Sequence, residues 1–560
     1  MVRFDASTRS APGMVLLVWA LLAALWWSGL DERPLARPDE GRYAEISREM
    51  ALGSDWITPR LNGIQYFEKP PLQYWATALA YRGFGVGERT ARLWTVGCGF
   101  LSLVLTAWLA GAAGAAPGAA LLAPLVLAGA LYAGLLGHIN TLDSGVSAFL
   151  TATLACYLQS RRSPASRRWM LAAGACAGLA MLSKGLIAVA LPGVALLLYT
   201  FINRDLSGWR RLHPLAATGT LLLVAGPWFL ACSLRNPGFA EFFFVHEHFQ
   251  RFTSTIHQRV EPVWYFLPLL LVGLLPWTLV LPRALLQAWA SPATPPAGFR
   301  PLRFVLAYGI GVVAFFSLSG SKLPGYILPA FPAFAVLIAH SLASAPRLPR
   351  LALGTGSLLQ ALLLLLAAAL FGLPELDARL GIRLDLDPDM VAPYARLAPW
   401  LAVGAAALAA GSLLLRLLPD RQRHAACVAL GLAGLVASSA SLHGAAALAP
   451  FNSSASWVAQ WRDAVPSGSR LFSVGTYDQT LDFYLERTVT LVDFQDELAF
   501  GLEREPGLAI ADPAAFRATW GRQPDDHAVM EPERYRQLLE QGLPMRVVAR
   551  DSRHVVVSPR

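Results

Sequence analysis

The sequence predicts a polytopic α-helical membrane protein of about thirteen transmembrane helices, followed by a soluble α/β domain. Three observations predict it. The 560 residues are 55% hydrophobic and their mean hydropathy is +0.45. Only 15% are charged, against ~25% in soluble proteins. Apolar runs close to the ~20 residues that cross ~30 Å of hydrocarbon recur along the chain, and the composition then turns polar. This excludes a soluble enzyme, a disordered chain and a nucleic-acid binder. The net charge of +9 reads first as arginine-rich cytoplasmic loops. Five cysteines, an odd count within apolar stretches, supply no disulfide framework and no redox or zinc pair.

The first run, Gly13–Leu30, is long and no small-residue cleavage site follows it. It reads as a signal anchor with Arg3 and Arg9 in the cytoplasm. The polar stretch Asp31–Lys69 follows, with eight acids and six bases. Residues 70–86 (PPLQYWATALAYRGFGV) come next. Were they a span, every later loop would invert and RRSPASRR at 161–168 would face outward. They are therefore expected to lie on the outer surface as an amphipathic helix. Later apolar runs lie near 91–112, 115–137, 141–159, 169–183, 187–203, 212–234, 262–284, 302–318, 325–344, 350–373, 396–418 and 425–449. The basic loops at 161–168, 204–213, 300–303, 347–350 and 416–424, placed in the cytoplasm, fix the alternation. Residues 1–449 then form the membrane domain with an outer-face loop at 31–90, and 450–560 a periplasmic α/β domain. In that tail LFSVGT and VTLVDF read as strands, ERYRQLLEQG as a helix with a glycine stop, and RVVARDSRHVVVSP as a strand pair.

Charge beside a bilayer is costly, so isolated charges mark candidate sites. Asp143 in GHINTLDSG stands alone at an outer helix start, where it also suits a helix cap. Lys184 in MLSKGL and Lys322 in SGSKLPGY are lone lysines at outward turns, suited to a lipid phosphate or to snorkelling. Tyr326 adds a phenol donor. In RPDEGRYAEISREM a helix is expected over Gly41–Leu52, most of its charges on a solvated face. Asp39 is the exception, because it leaves Pro38 at a helix start. Glu68 and Lys69 in YFEKPPLQYW are presented by two prolines on a stiff extended turn. An ammonium and a carboxylate there suit a phosphate or a metal. His246 and His248 in FFFVHEHFQRF, with Glu68, are candidate ligands for a divalent ion, zinc or magnesium. The pattern is not HExxH, so no zinc protease is read.

RPDEGRYAEISREM, DWITPRLNGIQYFEKPPLQYW and ARLW together resemble the first outer loop of the lipid A aminoarabinose transferases. SKG at 183–185, EHFQRF at 247–252 and SKLPGYILPAFP at 321–332 extend the likeness. The loop arrangement is also similar to that of protein O-mannosyltransferases, which share the GT-C class of fold. The resemblance implies a donor, undecaprenyl phosphate carrying 4-amino-4-deoxy-L-arabinose. It implies lipid A phosphate as acceptor, the outer face of the bacterial inner membrane as location, and polymyxin resistance as outcome. It maps the family's key acid onto Asp39 and its Glu-Lys pair onto Glu68 and Lys69. From the chemistry of such substrates, cations stabilise the departing lipid phosphate. Lys69, Arg42, Arg92, Lys184 and Lys322 are candidates, with Arg251. Asp39 orients the acceptor or stabilises an oxocarbenium-like sugar, and Glu68 or Asp143 recognises the donor amine. Two readings compete: a polyprenyl-phosphate-sugar transferase acting on a protein or other glycan, and a lipid flippase.

Overall fold

In lipid no water satisfies the backbone, so each long apolar run closes its own hydrogen bonds as a helix. The computed structural model describes residues 12–250, 261–293, 298–372, 388–466 and 468–559. The chain starts with α1 (Pro12–Trp26), α2 (Asp39–Leu52), the two-stranded turn β1 (Arg60–Leu61) and β2 (Ile64–Gln65), and α3 (Leu72–Phe84). Next come α4 (Glu88–Ala112), α5 (Ala119–Gly129), α6 (Leu131–Leu136), α7 (Asp143–Arg162), α8 (Ser166–Lys184), α9 (Ile187–Asn203) and α10 (Pro214–Arg235). After a π-helical turn at Glu241–Gln250 follow α11 (Phe266–Gly273), α12 (Leu281–Trp289), α13 (Pro301–Ser317), α14 (Phe331–Ser344), α15 (Arg350–Gly372), α16 (Pro388–Leu417) and α17 (Arg423–Ala445).

By length and composition, six helices among the described residues can each cross a membrane. A seventh is added if the pair α11 and α12, bent by 106°, counts as one span. Helices α1, α5, α9 and α13 are apolar but shorter. Length alone therefore does not establish the expected thirteen crossings. Close backbone approach replaces hydrophobic drive between such helices. At the crossing of α5 and α17, a Cβ on Gly129 would stand 2.7 Å from the Gly431 carbonyl oxygen.

The tail carries a six-stranded sheet in the order β5-β4-β3-β6-β8-β7. Its strands are β3 (Leu471–Val474), β4 (Thr490–Val492), β5 (Ala509–Ile510), β6 (His527–Met530), β7 (Arg546–Arg550) and β8 (Val555–Ser558). β3 pairs in parallel with β4 and β6, and β4 with β5. β8 runs antiparallel to β6 and β7. LFSVGT, VTLVDF and the terminal strand pair fall where the sequence puts them, and so does the helix Pro532–Glu540.

First loop and tail share one apolar cluster. Tyr43, Ile46 and Met50 of α2 and Tyr74 and Ala78 of α3 pack with Trp457, Trp461, Tyr477, Leu481 and Leu491. The segments leaving the carboxyl ends of β3 and β4 run directly onto α2. There, a Cβ on Gly41 would lie 2.6 Å from the Gln479 carbonyl oxygen.

Candidate functional site

The charges of α2 reverse the expectation of a solvated face. Glu40, Arg42, Glu45 and Arg48 are buried, whereas the Asp39 side chain is 40% exposed. Two coverings cause this: Arg33, Arg92 and Asn140 enclose Glu40, while the tail meets Arg42 through Glu497 and Arg48 through the Glu486 carbonyl. A buried charge must be paired, and each one is. Arg33 grips Glu40 with bonds of 2.6 and 2.9 Å. The backbone N–H groups of Ala36 and Asn140 each donate to Glu40 at 2.9 Å. Burial would raise the Glu40 pKa, but the guanidiniums of Arg33 and Arg92 outweigh it and hold the carboxyl well below its ordinary range.

Arg92 is a correction. It was expected to bind phosphate, yet its guanidinium is 2% exposed and fully engaged. Nε and Nη2 donate to Glu40 at 3.1 Å, Nη1 to the carbonyls of Leu30 and Arg33 at 3.0 and 2.6 Å, and Nη2 to that of Pro34 at 3.0 Å. All five N–H donors of a guanidinium are thereby used. Arg92 fastens the first loop to α4.

Further along α2, Glu45 receives two bonds of 2.7 Å from Arg48. Glu49 accepts the Gly63 N–H at 3.0 Å. Burial, and then the neighbouring Glu45, push the Glu49 carboxyl up to about 8. Two carboxyls of one helix are thus driven in opposite directions, Glu40 kept ionised and Glu49 kept neutral near neutral pH.

Asp39 is the first residue of α2, one past the cap position held by Pro38. Its carboxylate accepts from Arg42 Nη1 at 2.8 Å, and the other end of Arg42 meets Glu497 of the tail. The Arg42 Nε and the phenols of Tyr66 and Tyr74 are buried without a hydrogen-bond partner. Burial first, and then the negative field of Glu68, push the Tyr66 phenol above its ordinary range, while Arg42 opposes the shift. Asp39, Arg42, Glu68 and Glu497 all act electrostatically on Tyr74, so these groups converge on one region. Lys69 Nζ lies 3.4 Å from Glu68 Oε2 and 3.5 Å from Glu247 Oε2. Sequence reasoning missed Glu40, Glu497, Tyr66 and Tyr74. Glu40 stands beside Asp39 in RPDEGR and both tyrosines lie in YFEKPPLQYW, whereas Glu497 carried no local signal.

A second group assembles at the start of α7. Asp143 is the first helical residue, one past the cap position held by Leu142, which corrects the cap reading. Its carboxylate pairs with Lys184 instead. Lys184 Nζ stands 4.9 Å from the centre of the Tyr326 ring. A Cβ on Gly325 would fall 2.6 Å from Asp143 Oδ2, so glycine is what lets this turn approach the carboxylate. Lys322 donates to the Ser319 carbonyl at 2.7 Å. Asn140, three residues before Asp143 in the chain, binds the first loop: its N–H donates to Glu40 at 2.9 Å and its Oδ1 accepts from Gln73 at 2.9 Å.

Glu68, His246 and Glu247 offer donor types that suit a divalent ion. His246 Nδ1 is 3.4 Å from Glu247 Oε1, but Lys69 stands beside both carboxylates. Among the described residues no three His, Cys, Asp or Glu side chains are arranged to hold a metal. Arg251 and the side chain of His248 lie outside the described residues.

The arrangement offers ammonium and guanidinium groups for anionic oxygens, and one accessible carboxylate, Asp39. Comparison with known proteins gives this a context. Residues 14–243 match the family described as dolichyl-phosphate-mannose-protein mannosyltransferase, and residues 457–559 the aminoarabinose transferase C-terminal domain. The crystal structure of ArnT from Cupriavidus metallidurans bound to undecaprenyl phosphate superposes with a TM-score of 0.87 at 36% identity, covering 98% of each chain. This chain belongs to the aminoarabinose transferase family. A relative from Aeromonas salmonicida, an undecaprenyl phosphate-alpha-4-amino-4-deoxy-L-arabinose arabinosyl transferase, is 37% identical over 335 residues, 59% of this chain. One of the same name from Yersinia enterocolitica is 34% identical over 333 residues. The matched stretch spans about 60% of the Aeromonas relative's length. Within this chain, Arg42 of the first loop meets Glu497 of the matched C-terminal domain.

Proposed function

We propose that this protein is a membrane glycosyltransferase that moves 4-amino-4-deoxy-L-arabinose from undecaprenyl phosphate to a phosphate of lipid A. The convergence of Asp39, Arg42, Lys69 and Glu497 at the first loop, in a fold whose relative binds undecaprenyl phosphate, carries the reading. An oxygen of the acceptor phosphate attacks the anomeric carbon. The bond from that carbon to the donor phosphate oxygen breaks, and undecaprenyl phosphate leaves with the electron pair. Configuration at the carbon inverts. Lys69 and Lys184 stabilise charge on phosphate oxygens. The acceptor is already ionised near neutral pH, so Asp39 orients it or stabilises positive charge on the sugar rather than acting as a strong base. Glu68 or Asp143 receives the cationic amine of the sugar. We further propose thirteen crossings, supported by a helical body at each apolar run in the described residues, with residues 1–449 as membrane domain and 450–560 as a periplasmic domain. The setting is the bacterial inner membrane, and covering the lipid A phosphate would confer polymyxin resistance.

The test supplies purified protein with labelled donor and lipid A and reads product mass. Label on lipid A is expected. Label on a protein or other glycan would reassign the acceptor, and movement of intact donor would indicate a flippase. In Asp39→Asn we expect turnover to fall by about a thousandfold while donor binding survives. Near-normal turnover would remove Asp39 from the reaction.

A further inference from the structure

We propose that the arginine-rich end of the helix bundle, opposite the candidate site, is a binding surface for anionic phospholipid. Helix α7 has Asp143 at one end and Arg161 and Arg162 at the other. A helix of that length separates them by ~30 Å, the thickness of a bilayer's hydrocarbon.

Three segments far apart in sequence meet there. Arg161 donates to the Arg210 carbonyl, and Arg211 to the carbonyls of Arg161 and Ser163 at 3.4 and 3.3 Å. Ser166 Oγ and His213 Nε2 are 2.8 Å apart. Arg303 Nη1 donates to Asn203 Oδ1 at 2.7 Å, and the Arg161 guanidinium lies 4.8 Å from the Phe299 ring centre. The segments 161–168, 203–213 and 298–303 carry nine arginines and one carboxylate, Asp205. That carboxylate is turned inward, accepting the Ser207 N–H at 2.7 Å and the Tyr199 hydroxyl at 3.3 Å.

These guanidiniums gather on backbone carbonyls, which orient them without neutralising them. Arg162, Arg167, Arg168, Arg204, Arg210 and Arg211 are exposed. So are Trp209 (42%), Leu206 (69%) and Phe201 (83%) beside them. Uncompensated charge with an aromatic and aliphatic border is the chemistry of a lipid headgroup and its glycerol region. Planar guanidinium forks match phosphodiester oxygens, and basic pockets between membrane helices take lipids with several phosphates. A soluble anion would leave the apolar border unused. The occupant is therefore a phospholipid, favoured when it carries two phosphodiesters, as cardiolipin does.

Native mass spectrometry of the full chain, released from nanodiscs holding equal mole fractions of cardiolipin and phosphatidylcholine, tests this. Wild type is expected to retain cardiolipin preferentially. The triple variant Arg167→Gln, Arg168→Gln, Arg210→Gln should retain about tenfold less or lower still. The matching triple lysine variant keeps the charge and should keep the lipid. Thermal unfolding in detergent, expected to be unchanged, separates lost binding from lost fold. Equal retention of the two lipids by wild type would overturn the proposal, whatever the glutamine variant does. Cardiolipin retention unchanged in a folded glutamine variant would do so too. Displacement of cardiolipin by excess inorganic phosphate would reassign the surface to soluble anions and end the lipid reading.

Discussion

The two ends of the bundle use arginine in opposite ways. Around α2, Arg33, Arg42, Arg48 and Arg92 each meet a carboxylate. At the far end Arg161, Arg211 and Arg303 meet carbonyl or amide oxygens, and the charge stays unbalanced. A paired, buried guanidinium is a fastener. Its energy goes into holding two segments in one geometry, which is what a site for group transfer needs. An unpaired, exposed one contributes little to the fold and instead sets the potential of a surface. Residue type alone does not separate the two uses, as Arg92 demonstrates.

The contrast is broken most directly at Glu40. In Glu40→Gln the Arg33 and Arg92 guanidiniums stay buried without their anion, so stability should fall by about 3–5 kcal/mol. Thermal unfolding in detergent measures it, and a shift no larger than that of the triple glutamine variant would erase the distinction between the ends.

The second test compares two acids of one helix. Glu49 is pushed up to about 8 from an ordinary 4.5. Its folded form binds a proton that the unfolded chain releases, so stability is full below the ordinary value and declines as pH rises toward 8. Glu40 has the opposite sign: its contribution is present above the ordinary value and is lost as pH falls. Glu49→Gln should therefore gain stability over wild type, on the order of a few kcal/mol at most, with the gain growing from pH 5 to about 8. Unfolding midpoints across that range check the slope. A gain independent of pH would mean that Glu49 is ionised in the fold.

The smallest effect falls on Glu497, which holds Arg42 from the tail side. Glu497→Gln keeps a hydrogen-bond acceptor but removes the charge. Turnover should fall by about tenfold, the equivalent of ~1.4 kcal/mol, and stability should fall less than in Glu40→Gln because Arg42 keeps Asp39 as a partner. Kinetics with donor in excess would show it, and unchanged turnover would make the contact purely architectural.

Local pattern carried much of this molecule. Apolar runs gave the helices, valine-rich segments gave β7 and β8, and lone charges led to Asp143 and Lys184. The expected helix at Gly41–Leu52 begins two residues earlier, at Asp39. What stayed illegible depends on distant pairing. β5 is only Ala509–Ile510, too short to register as a pattern. The periodicity of α2 shows a charged face, but nothing local says that the tail covers it. Lys322 and Lys184 look alike as isolated lysines, and only the fold turns one to Ser319 and the other to Asp143. Glu497 has no motif at all, because its role exists only through Arg42.

The apolar cluster shared by Tyr43, Tyr74, Trp457 and Leu481 has a consequence for biogenesis. The ribosome delivers α2 and α3 long before their covering surface is made. Until residues 457–491 emerge and dock, Tyr43, Ile46 and Met50 of the Asp39 helix lack part of their covering surface. A nascent chain would thus hold every helix of the bundle while Tyr43 and Tyr74 are still uncovered, so burial of those side chains marks the docking of the tail.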